Sequence, residues 1–134
     1  MRYVIWIILA IVGMAACSRS PRQNHSLDRA ESLVYTHPDS ALAILNEVDA
    51  SEIEEDSIKA KYHRLVALAH KVNESSMASD SLVRFSFEYY KDRDFRRFLE
   101  SGDLYALHLF WSGQGKKSLE LLDSMLTLPN VPDN

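Results

Sequence analysis

From Leu27 onward, apolar residues recur at three- and four-residue spacing and strict alternation never lasts for the length of a strand, a pattern that predicts helix throughout. Leu27, Ala30, Leu33 and Val34 mark a first short helix. It stops near His37, because Pro38 disfavours helical geometry in the residue before it. Pro38 itself suits the first turn of a second helix, whose buried stripe is Ala41, Leu42, Ile44, Leu45 and Val48. Ser51 and Glu54 have the spacing of a capping box and open a long third helix through Ile58, Tyr62, Leu65, Leu68, Ala69 and Val72. Residues 73–76 read as a loop. A fourth helix is expected over 77–93, a fifth over 94–112 and a sixth over 115–128, ended by Pro129 and Pro132.

The chain begins differently. Arg2 is followed by an apolar stretch over 4–16, which as a helix would reach roughly 20 Å against a hydrocarbon core of about 30 Å. A short basic start and an apolar core of this length read as a secretory signal rather than a membrane span. The stretch closes in Gly13-Met14-Ala15-Ala16-Cys17, and Cys17 is the only cysteine. This ending resembles the lipobox of bacterial lipoproteins, with Met14 where that family usually has Leu. The resemblance implies that residues 1–16 are a signal peptide, that Cys17 is lipidated, and that several acyl chains hold the protein on a bilayer. Ser18 after the cysteine, with no acidic run following, is similar to lipoproteins kept in the outer membrane facing the periplasm. Residues 18–26 are polar, contain Pro21 and show no apolar period, so residues 17–26 are expected to form a lipidated tether and 27–134 the folded domain.

Composition narrows the class. The 134 residues are 46% hydrophobic and 25% charged, with four Gly, so a single globular domain fits better than a disordered or collagen-like chain. A formal net charge of −4 gives no electrostatic reason to bind nucleic acid.

Self-similarity adds more. Residues 41–45, 81–85 and 118–122 each place a small residue first, Leu second and a large apolar residue fifth. Before the third of these stand Tyr105-Ala106, Leu109 and the turn Ser112-Gly113-Gln114-Gly115. The arrangement resembles the tetratricopeptide repeat, a helix-turn-helix unit of about 34 residues. Leu65, Leu68, Ala69, Val72, Ser81 and Phe85 carry the same resemblance in the second repeat. It implies an all-α fold of antiparallel helix pairs stacked as a short right-handed solenoid, with repeats at about 27–50, 51–93 and 94–128. Gly102 and Leu65 stand where that family has a first-helix Trp.

Candidate chemistry is sparse. His63, His70 and Glu74 share no metal-binding motif, and neither they nor His108 are read as ligands. Glu52, Glu54, Glu55 and Asp56 suit a helix start without catalysis. No Gly-x-Ser-x-Gly elbow or phosphate loop occurs. Residues 91–98 interleave basic and aromatic side chains, but the acids among them favour packing phenylalanines on a solvated charged face.

In the register of the resemblance, His63, Val66, His70 and Asn73 of the third helix and Asp103, Leu107, Phe110 and Trp111 of the fifth match positions lining a concave groove. Its aromatics are anchors for a protein or peptide, or else pack on the sixth or a further helix. The expected protein is therefore a lipid-anchored, non-catalytic envelope module without cofactor or metal, open to self-association through its last helix pair. The rival readings are the sensor part of a longer membrane regulator and a small envelope enzyme or carbohydrate-handling lipoprotein.

Overall fold

The computed structural model describes residues 19–75 and 78–128, so the apolar run, Cys17, Ser76, Met77 and the closing prolines lie outside the described residues. Within them the chain is all-helical: α1 (Arg19–Leu33), α2 (Pro38–Asn46), a 3₁₀ turn (Ala50–Glu52), α3 (Asp56–Val72), α4 (Asp80–Tyr90), α5 (Phe95–Trp111) and α6 (Gly115–Leu126).

The first correction concerns the tether. Helix α1 is already formed at Arg19, eight residues before the expected start at Leu27. Pro21 falls in its first turn, where the missing N–H would have had no helical partner. No apolar period shows at the start because residues 21–26 are not buried, and burial begins at Leu27, Ala30 and then Val34 just past the end of the helix. Helix α2 starts with Pro38 as expected and buries Ala41 and Leu45 against α1 and α3.

The capping box does not form. Asp49 caps the 3₁₀ turn instead, its carboxylate accepting from the Ser51 N–H at 3.0 Å, and those hydrogen bonds hold its pKa below the ordinary value. Ile53 is only 6% exposed, so the backbone stays extended to seat it in the core and α3 begins at Asp56. Helix α4 is likewise shorter than the span 77–93. It stops at Tyr90 because Asp94 must be extended to cap α5, where its side chain accepts from the Arg97 N–H at 2.9 Å.

Each helix packs on its neighbours in sequence, and α3 also packs on α1 and α5. Helix α3 is therefore central, which explains why it buries Ile58, Ala60, Leu65, Ala67, Leu68 and Ala69 around most of its circumference. A second apolar cluster joins α4, α5 and α6, where Phe87 stacks on Phe98 at 4.9 Å and Met125 closes over Gly102. Phe98 and Tyr90 are buried and Arg93 lies over the Tyr89 ring at 4.6 Å, so the basic-aromatic segment packs as expected.

Helices α3 and α5 are both 17 residues long and end alike. Glu74 (φ 49°) and Gly113 (φ 78°) follow them in the left-handed region. The next N–H in each case, from Ser75 or Gln114, returns to the carbonyl of His70 or Leu109. This Schellman closure satisfies the last carbonyls of both helices.

Candidate functional site

Because α3 and α5 share length and ending, they can be superposed from their closing turns. Arg64, Leu68, Lys71 and Val72 then stand where Asp103, Leu107, Phe110 and Trp111 stand. The register taken from the sequence placed His63, Val66, His70 and Asn73 there, one or two residues off. Each residue turns a helix by about 100°, so the slip moves a side chain to another face.

His63 shows the consequence. It does not enter a groove: its ring meets the edge of Phe85 on α4 at 5.2 Å, with Nδ1 buried and unpartnered. Burial, reinforced by the Lys59 charge, pushes its pKa down to about 4. A ring kept neutral in the fold loses stability for the protein as pH falls from 6.5 towards 4, since only the unfolded chain gains the proton there. An NMR titration should find His63 still neutral at pH 5; a midpoint near 6.5 would contradict this packing. Val66 packs against the main core, and Asn73 caps the end of α3.

Between α1, α3 and α5 runs a set of ion pairs. Arg64, 2% exposed, binds Glu31 of α1 and Glu100 of α5. Lys61 reaches Asp28 and, at 3.5 Å, Glu31; Lys71 reaches Asp103; the Tyr35 hydroxyl donates to Glu100 at 2.8 Å. Burial alone would raise the Glu31 carboxyl, but the Arg64 charge and hydrogen bond, with Lys61 and Arg97, hold it below its ordinary value. The Lys61 hydrogen bond and charge lower Asp28.

Next to the last of these pairs, α3 and α5 line a cleft of about 730 Å³. Ala67, Val83, Leu104 and Leu107 supply an apolar lining, His70, Lys71 and His108 polar groups, and Trp111 one end. Trp111 is 67% exposed. Of the expected groove residues the structure thus brings together His70, Leu107 and Trp111, with Asp103 joined through Lys71. Phe110 is directed elsewhere, abutting the start of α6 at Gly115.

His108 is not the solvated residue expected from sequence. Its Nδ1–H donates to the Ala78 carbonyl at 3.1 Å, while Nε2 lies 3.3 Å from the Ser112 hydroxyl and 3.8 Å from the Asp80 carboxylate. The signal for it was available, since His108 lies one turn before Ser112 and one turn after Leu104 on the face that α5 turns to α3. Among the described residues no three His, Cys, Asp or Glu side chains converge as a metal site, and no helix is long and apolar enough to cross a membrane. No protein-family model, no curated protein and no solved structure matches the chain.

Proposed function

We propose that this chain is a lipid-anchored, non-catalytic module of the cell envelope that binds a protein or peptide segment in the cleft between α3 and α5. The observation that carries the reading is an apolar cleft of about 730 Å³ ending at a tryptophan that is 67% exposed. Soluble surfaces seldom leave so large an aromatic uncovered beside an apolar concavity, and such residues anchor partners. The paired helices, with α3 and α5 ending alike, fit the tetratricopeptide-like right-handed solenoid of the sequence reading, in which first helices line the inner face.

Chemistry in the cleft is opposed by its electrostatics. Ser112 and His108 make a hydroxyl–imidazole pair, but the N–H groups of Ser112, Gly113 and Gln114 already bind the carbonyls of His108, Phe110 and Leu109. They also sit at the negative end of α5, where a developing oxyanion is disfavoured.

The anchor rests on the lipobox-like Gly13-Met14-Ala15-Ala16-Cys17, and on the outer-membrane, periplasm-facing reading of Ser18. Two measurements on the full chain test the two halves separately. Cells fed an alkyne fatty acid should label the protein through Cys17 and lose the label in Cys17→Ala; an unlabelled wild type contradicts the anchor. Trp111→Ala should change stability by no more than about 0.5 kcal/mol, as an exposed substitution does, while abolishing co-purification of the bound partner. Unchanged co-purification contradicts the cleft.

A further inference from the structure

Among the described residues, helix α6 packs on one side, against α5. Ser118 and Met125 face α5, the Ser118 hydroxyl donating to the Ala106 carbonyl at 2.7 Å. Leu119 and Leu126, two turns apart on another stripe, are 69% and 72% exposed. Exposed Phe110 of α5 extends that stripe, since it abuts Gly115 one turn before Leu119. Helix α4 is by contrast covered by α3 on one side and α5 on the other.

The charges bordering the stripe say what would cover it. Lys116 and Asp123 are also two turns apart, so both lie along its solvent-side edge, the cation towards the start of α6 and the anion further along. When two identical helices pack antiparallel about a two-fold axis, equivalent edges meet with their directions reversed. Lys116 then faces Asp123 of the partner subunit, and the same pair forms a second time by symmetry. In that register Leu119 sits near the axis, and Leu126 reaches the Gly115 end of the partner helix, where Phe110 is exposed. Lys116 has a nearer acid in Glu120 at 3.7 Å, but both side chains are largely exposed and such a pair holds little.

We propose that the exposed face of α6 is a self-association surface on which a second copy of this chain docks antiparallel about a two-fold axis. Its leucines lie outside the cleft lining, and it meets Trp111 only through the edge contact of Phe110 at 5.6 Å.

The test uses the full chain, made in a lipoprotein-competent bacterium as two differently tagged copies, with a photo-crosslinking amino acid at Leu119. Light should give an adduct of twice the mass carrying both tags. Lys116→Glu and Asp123→Lys should each reduce it by about fivefold or more, because every reversal turns two attractions into two repulsions. The double variant Lys116→Glu/Asp123→Lys should restore it. Limited proteolysis unchanged from wild type shows that each variant is folded, as expected for exposed positions. No doubly tagged adduct, an adduct with only one tag, or an adduct indifferent to the charge reversals would each overturn the proposal.

Discussion

Arg64→Ala is expected to lower unfolding stability by about 3 kcal/mol, the range seen when one partner of a buried ion pair is removed. Arg64 is 2% exposed and is the only bridge from Glu31 on α1 to Glu100 on α5 through a single side chain among the described residues. Alanine leaves both carboxylates facing each other across the vacated space. The pH dependence identifies the cause. Glu31 is held below its ordinary value of 4.5, so the stability that it contributes is complete above about pH 4.5 and is lost as pH falls through its lower folded value. In Arg64→Ala the main lowering influence is gone while burial and the weaker Lys61 and Arg97 charges remain, so that loss is smaller. Urea unfolding of both proteins should show a difference that is greatest near pH 7 and shrinks below about pH 4.5. A difference independent of pH would mean that Arg64 acts through packing alone.

Gly102→Val should cost about 2 kcal/mol, the middle of the range for overpacking a core. A Cβ built at Gly102 lies 2.3 Å from the Met125 methyl carbon and 3.2 Å from the Phe87 ring, so a branched side chain makes the flexible Met125 tip swing aside and crowds the Phe87 ring between α5 and α6. The steric cause is testable by rescue. Met125→Ala clears the nearest obstruction, and Gly102→Val/Met125→Ala should melt higher than Gly102→Val alone. If the double variant is instead less stable by the sum of the two single changes, Gly102 matters for backbone freedom and not for space.

The helices were legible because burial on one face leaves a periodic record. Ala41, Leu45, Leu65 and Leu68 fell where their spacing placed them. The start of α1 was not, since residues 21–26 are not buried and a polar helix has no period to read. Ser51 and Glu54 misled for a different reason: the burial of Ile53 between them outweighs a local capping preference. The cleft was half legible. On α5, Leu107 and Trp111 were found, because Gly113 fixes the end of that helix. On α3 the equivalent left-handed residue is Glu74, a type that gives no such signal, and without that mark the register slipped onto His63 and Val66. Arg64 was overlooked. Its position one turn after Ala60 and one turn before Leu68, both buried, marked it as inward-facing.

The central claim is that the protein meets its partner in the cleft between α3 and α5. A photo-crosslinking residue at Leu107, inside the cleft, can be compared in living cells with the same residue at Glu88, exposed on α4. The expected result is one adduct of discrete mass from Leu107, lost when Trp111→Ala is added, and none from Glu88. Adducts from Glu88 alone, or the same adduct from both positions, would contradict it.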